Sequence, residues 1–317
     1  MPPLRPPYTK PPKGASPVHA PVLVAAVVDL SGVSQGGSYV DATAGAGGHT
    51  QALVAAGAAR VLALDADPNA VARLGERFSD EPRVTPVQAN FRDLARIAPA
   101  HGFDRADGVI FDLGLSSDQL DDPSRGFSFQ HDGPLDMRFD PTCGRPALDL
   151  VNHLPEPELA ELLRRFGDER RAGRIARRIV QRRPITNTAT LAATVKRAIP
   201  GRQRIHPATR TFQALRMAVN DELGALTAGL EAARGVAAPD GRVVVIAFHS
   251  HEDRIVKHRF RAWASAGTAE ILTRSPLRAD AAEVTANRRS RSAKLRAARV
   301  TPPPLMDAPT EDRHGRP

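Results

Sequence analysis

The sequence predicts an α/β chain built on an open, mostly parallel sheet and interrupted by an all-helical insertion. Three observations predict it. Between residues 38 and 113, short apolar runs alternate with amphipathic stretches at a spacing that implies parallel strands joined by right-handed crossovers. From about 147 to 200 strand signals stop and only helical periodicity remains. Strand signals then return at Gly241-Arg-Val-Val-Val-Ile-Ala-Phe-His-Ser250, which reads as a fifth buried strand.

Taken in order, residues 1–17 form a proline-rich, basic tail without an apolar signal core and are expected to be disordered. His19 to Leu30 reads as a lead-in and helix, with His19 at the helix start. Strands follow at 38–44, 60–65, 83–89 and 107–113, separated by helices at about 48–57, 68–78 and 92–98. Pro68 suits a first helical turn, where its missing N–H costs nothing. Residues 116–138 are too polar and turn-rich for another strand–helix unit and read as a long ordered loop. Helices are expected at 148–153, 156–166, 169–183 and 188–198, and one more from about Pro207 through Ala233. Ala269 to Thr273 and Lys294 to Val300 would complete the sheet, and 301–317 is expected to be disordered. The parent domain is therefore assigned to 18–116 and 208–300, and the insertion to 117–207.

The 317 residues carry 44 Lys and Arg against 35 Asp and Glu, a net charge of +9, and arginine dominates the cations. Arginine forks onto phosphate and stacks on bases, which fits a polyanionic partner, although an arginine-biased proteome gives the same count. One cysteine, Cys143, excludes an intramolecular disulfide and a cysteine-based zinc site, and fits a reducing cytoplasm. No segment is apolar over a membrane-spanning length.

The chemistry centres on Tyr39-Val-Asp-Ala-Thr-Ala-Gly-Ala-Gly-Gly-His-Thr50, a strand running into a glycine turn and then a helix. A dinucleotide fingerprint has a third glycine where this chain has Thr50. A cofactor without phosphates needs only backbone approach in the turn. S-adenosylmethionine is such a cofactor: its amino-acid end meets the turn and its ribose hydroxyls meet a carboxylate at the end of the next strand. Asp65, twenty residues after Gly45, is placed for that, with Asp67 a second candidate or a helix cap. Asp112 ends the fourth strand beside the switch point where ligands bind in open α/β sheets.

Other motifs fail. Gly114-Leu-Ser-Ser-Asp118 lacks the last glycine of a nucleophile elbow and a clear following helix, and Ile255 stands where a zincin helix needs its second histidine. There is no Walker loop. The group His249, His251, Glu252, Asp253 and His258 reads as a capped, charged helix start ahead of a metal site, and Asp118, Asp121, Asp122, Asp132 and Asp136 read as turn carboxylates and caps. No metal is expected. Nine arginines between 164 and 183, largely at helical spacing and without interleaved acids after Glu169, point to nucleic-acid phosphate; Arg202, Arg204, Arg210 and Arg216 extend them. A second basic stretch, Asn287-Arg-Arg-Ser-Arg-Ser-Ala-Lys-Leu-Arg296, flanks the last strand.

Several long motifs in order carry a resemblance: Gly45 to Thr50, Phe111-Asp-Leu-Gly-Leu-Ser-Ser-Asp-Gln-Leu-Asp121, Arg125-Gly-Phe-Ser-Phe129, Asp132 to Arg138, His206 to Arg216, Asn220-Asp-Glu-Leu223 and Phe248 to Arg254. Over nearly its whole ordered length the chain resembles the ribosomal small-subunit methyltransferase H (MraW) family. The resemblance implies a Rossmann-like class I S-adenosylmethionine-dependent methyltransferase sheet, and methylation of the N4 amine of a cytosine in the decoding region of 16S rRNA. It implies cofactor contacts at Gly47, Gly48, His49, Asp65, Phe91, Asp112 and Gln119. Phe91 and Gln119 come from the resemblance alone; by their neighbours they read as core and loop. Asp118 stands where the family usually has proline, and His251 where it usually has leucine.

Transfer of a methyl to a ring-conjugated amine needs orientation and acceptors for the N–H protons, with no covalent enzyme intermediate. Asp112, Ser117 and His249 are the expected catalytic acceptors, with Asp136 a third source from the invading loop. Arg171, Arg174 and Arg178 are expected to contact RNA, and Phe127 and Phe129 to stack on or wedge out the target base, or else to be local core. The expected partner is 16S rRNA within the small subunit or its late precursor, with a homodimer left open. Two other readings compete: an NAD-dependent oxidoreductase, against which the missing glycine counts, and a non-catalytic RNA-binding factor, which would need no intact cofactor turn.

Overall fold

The computed structural model describes residues 21–33, 36–201 and 205–301. Seven strands form one sheet: β1 Ser38–Asp41, β2 Arg60–Asp65, β3 Val84–Gln88, β4 Ala106–Asp112, β5 Ala237–Ala247, β6 Ala269–Ile271 and β7 Lys294–Val300. Their order is β3-β2-β1-β4-β5-β7-β6. β1 to β5 pair in parallel, while β7 runs antiparallel to both β5 and β6. The order reverses between β1 and β4, so a crevice opens at their carboxyl ends. The sheet is the Rossmann-like class I methyltransferase arrangement that the resemblance implied.

Both faces of the sheet are covered, which is why its strands read as nearly continuous apolar runs. On one face Val40, Leu62, Val109, Phe111 and Val245 pack with Leu94, Leu226, Leu230, Phe260 and Trp263. On the other, Tyr39, Val61, Ile110 and Ile246 pack with Val27, Leu53, Leu74 and Phe78. A separate core collects Phe127, Leu135 and Met137 of the loop with the helices Ala147–His153, Glu156–Gly167, Ala172–Arg182 and Thr188–Ala198. Ala208, Phe212 and Leu215 of the helix Ala208–Val219 also belong to this core.

Three local readings change. The helix expected over 207–233 is two, Ala208–Val219 and Glu222–Val236, because Asp221 takes a left-handed φ of 45°. Asn220 beside it turns its amide onto the loop, donating to Met137 O (2.7 Å) and accepting from Phe139 N–H (2.7 Å). The fifth strand stops at Ala247 rather than Ser250, since the Glu252 carboxylate accepts the N–H groups of Phe248 (2.9 Å) and His249 (3.3 Å) and draws them out of the ladder. A short helix, Ser117–Asp121, does follow Gly114-Leu-Ser-Ser, closed by a reciprocal Ser116–Gln119 capping box. His19, Arg202, Arg204 and most of both proline-rich tails lie outside the described residues.

Candidate active site

The glycine turn is built by backbone conformation. Gly45 and Gly47 have φ of 52° and 79°, the left-handed region that glycine enters without strain. A Cβ on Gly47 would approach Phe78 and Leu74 within 2.7 and 2.8 Å, and one on Gly48 would meet Pro21 at 2.8 Å. Close packing therefore requires glycine at both positions, and the turn runs as unsubstituted backbone into the helix Gly48–Ala55.

Asp65 closes the next strand and fixes the turn. Its Oδ2 accepts the Gly45 N–H and its Oδ1 the Asp67 N–H, both at 2.8 Å. Burial pushes its pKa up to about 6, against the pull of those two donors.

His49 is buried, and its Nε2 lies 3.3 Å from Oδ2 of Asp112. Beneath it Asp41 is fully buried and accepts the Thr50 hydroxyl (2.7 Å). Thr50, the residue that breaks the dinucleotide fingerprint, thus fixes a buried carboxylate. Burial pushes the Asp41 pKa up, while the nearby imidazole and the Thr50 hydroxyl pull it down; the balance stays above the ordinary carboxylate value. Burial lowers the His49 pKa, but Asp112 and Asp41 outweigh it and hold the imidazole above its ordinary value. His49 Nδ1 and Asp112 Oδ1 are buried without a hydrogen-bond partner among the described residues. Unpaired buried polar atoms beside a bare glycine turn fit a polar ligand that completes them.

The loop after β4 is tied over this crevice. Gln119 Nε2 donates to Asp67 Oδ2 (3.0 Å), and Arg125 Nη1 reaches the same oxygen at 2.6 Å. Asp67 Oδ1 caps the helix Pro68–Arg77 through Asn69 N–H (3.0 Å). Asp67 is thus a structural node, and Gln119 is a buried helical residue rather than open loop. Phe91, part-buried after β3, sets its ring edge-on to Phe111 at 5.5 Å and closes against Gly229.

Ser117 is buried in the same loop, its hydroxyl accepting from Arg289 Nη1. His249 stands one strand across, since Asp112 pairs in register with Ile246. It caps the helix Ser250–Ser265: the Glu252 N–H donates to Nδ1 (3.5 Å), and Nε2 lies 2.8 Å from Glu252 Oε1. Burial pushes the Glu252 pKa up, but His249, the Phe248 N–H and Arg216 hold it below the usual value.

The histidine-rich group is dispersed among separate partners. His251 faces Asp168 at 3.1 Å, and Asp253 binds Arg296 and Lys294 at 2.7 and 3.4 Å. Glu222, His249 and Glu252 do bring ligand atoms within 4.8 Å of one another, but Arg216 already grips both Glu222 oxygens at 2.6 and 2.9 Å. Asp118, Asp122, Asp132 and Asp136 are each engaged with a side chain or turn N–H.

Arg171, Arg174 and Arg178 are exposed on the helix Ala172–Arg182 and the turn before it, opposite buried Ile175, Ala176 and Ile179. Phe127 is buried in the helical core, and Phe129 stacks on His206 at 4.5 Å and edge-on to Phe212 at 5.0 Å. Both rings are engaged locally, the alternative that their sequence left open.

Residues 16–301 match the profile of a family described as the MraW methylase family. The chain belongs to the MraW methylase family. Its cofactor is S-adenosyl-L-methionine. Among curated relatives, a ribosomal RNA small subunit methyltransferase H of Thermomicrobium roseum is 53% identical over 89% of this chain and 94% of its own length. Proteins of the same name from Symbiobacterium thermophilum and Carboxydothermus hydrogenoformans are 47% and 45% identical, each over 88% of this chain and 95% and 97% of their own. A solved structure titled a putative rRNA-methylase from Clostridium thermocellum is 11% identical with a TM-score of 0.42, covering 88% of this chain and 93% of its own; it adds nothing to the family assignment. Within this MraW-family chain, the Gly45–Gly48 backbone, His49, Asp65 and Asp112 are the groups that would hold the donor. When bound, it supplies a methyl activated on a sulfonium.

Proposed function

We propose that this chain methylates the N4 amine of a cytosine in the decoding region of 16S rRNA, within the small ribosomal subunit or its late precursor, in the cytoplasm. The relatives' shared name supports the rRNA substrate. The observation that carries the chemistry is the crevice where Asp112 keeps one carboxylate oxygen buried without a hydrogen-bond partner among the described residues, beside the glycine turn and Asp65. That oxygen accepts an N–H of the incoming amine, orienting its nitrogen lone pair on the methyl. His49 Nε2 lies 3.3 Å from the other oxygen.

The Ser117 hydroxyl and the β5 end with His249 border the same crevice and complete its polar lining. The inserted unit 117–207, closed by the helix Ala208–Val219, grips the RNA through Arg171, Arg174 and Arg178, whose charges meet phosphates. Asp168 links this unit to the β5 end through His251 and the Ser250 hydroxyl (3.3 Å). Mass mapping of 16S rRNA from cells with and without the gene tests the reading. Loss of one methyl from a cytosine N4 is expected; an unchanged 16S pattern overturns it.

A further inference from the structure

We propose that Arg289 binds the carboxylate of the methyl donor's amino-acid end, a contact that closes the cofactor crevice from the β7 side of the sheet. Of the arginines in the basic stretch before β7, Arg288 and Arg291 face solvent while Arg289 turns inward. Its backbone is fixed for this: Asn287 Oδ1 accepts the Arg289 N–H (3.1 Å), and the next residue, Ser290, is buried with its hydroxyl donating to Asn287 O (2.8 Å).

The guanidinium crosses 172 residues of sequence to donate to the Ser117 hydroxyl. No carboxylate of the described residues pairs with it. A part-buried guanidinium answered only by a neutral hydroxyl is matched by an anion, and the planar fork suits a carboxylate.

The position selects which anion. Ser116, next to Arg289's partner, sits against the glycine turn: a Cβ on Gly45 would lie 3.8 Å from Ser116 Cβ. The segment before Arg289 also covers the turn, because Glu283 Oε1 accepts the Leu23 N–H (2.7 Å) and Pro21 lies over Gly48. With Asp65 at the ribose side, the amino-acid end of the donor falls on the Gly45–Gly48 side, where Ser116, Ser117 and Arg289 meet. Arg289 supplies a charge-assisted contact there that the backbone N–H groups of the turn cannot.

Calorimetric titration of the full chain without RNA tests this with two ligands: S-adenosylmethionine and its decarboxylated form, which lacks only the carboxylate. Arg289→Gln is expected to weaken the intact donor by at least about tenfold, the scale of a charged hydrogen bond, and to leave the decarboxylated form unchanged. Arg289→Lys is expected to recover part of the loss. Equal weakening of both ligands, or loss of all binding, would show that the arginine serves the fold and overturns the proposal. Unchanged affinity for the intact donor would show that the guanidinium does not meet its carboxylate and overturns the proposal as well. Because no RNA is present, the outcome is independent of the rRNA assignment, and the wild-type titration reports on the cofactor itself.

Discussion

Arg125 reaches back 58 residues to set Nη1 2.6 Å from Oδ2 of Asp67, and both side chains are buried. The same guanidinium donates through Nη2 to the carbonyls of Arg138 (2.9 Å) and Phe139 (2.8 Å). One guanidinium therefore ties the middle of the loop after β4 to the segment following β2 and to the loop's own far end. Arg125→Met leaves Asp67 buried without its cation, and breaking such a pair costs about 3–5 kcal/mol. Urea unfolding is expected to show that loss, with part of it recovered in Arg125→Met/Asp67→Asn. Strict additivity of the two single variants would deny the coupling.

Asp65, proposed as the acceptor of the donor's ribose hydroxyls, is expected to make cofactor affinity depend on pH. Its folded pKa of about 6 lies above the ordinary 3.8, so the folded chain holds an extra proton between those values. Its contribution to stability is therefore largest below 3.8 and declines as pH rises toward about 6. Ribose hydroxyls donate to the ionised form, so donor affinity is expected to fall as pH drops through about 6. Titrations of Asp65→Asn should bind weakly and show no such step; an unchanged step would place its origin at another group.

Asp112→Asn keeps the shape of the crevice but weakens the acceptor. Turnover at saturating donor is expected to fall on the order of 10²–10⁴-fold, the range of a positioned acid–base group. Ser117→Ala and His249→Ala should cost less, since Ser117 accepts from Arg289 and His249 is engaged with Glu252. Wild-type turnover in all three variants would end the assignment of the crevice as the catalytic centre.

The arginine face is expected to be separable from the chemistry. Replacing Arg171, Arg174 and Arg178 with alanine should weaken RNA binding and lower the slope of log K against log salt by about 2, from three single-strand phosphate contacts. Donor affinity should not change. Anisotropy titrations across a salt series measure both, and an unaltered slope would place the RNA elsewhere.

The sheet was readable from sequence because strands buried on both faces are nearly continuous apolar runs bounded by glycine and aspartate. The run of helices from Ala147 to Ala198 was readable because strand signals vanish there. What escaped depends on side chains bonding to backbone or across long separations. Nothing in Phe248-His249 marks them as outside the strand until the Glu252 carboxylate turns back on them. The break at Asn220–Asp221 carries neither glycine nor proline, and its cause is the loop that Asn220 holds. Asp67 looked like a cap and is one, but its tie to Arg125 and Gln119 is not visible in spacing. Phe91 and Gln119 were named through family resemblance; their own neighbours pointed to core and loop.

The register that pairs Asp112 with Ile246 sets an order on how the molecule is made. As the chain leaves the ribosome, β1 to β4 emerge first and pair among themselves, and the whole insertion must follow before β5 exists. Until then the β4 edge is an open row of donors and acceptors, able to recruit a wrong strand. The strand that covers that edge also brings the wall of the crevice that faces Asp112. A nascent chain therefore completes the crevice around Asp112 and covers its open β4 edge in one late event.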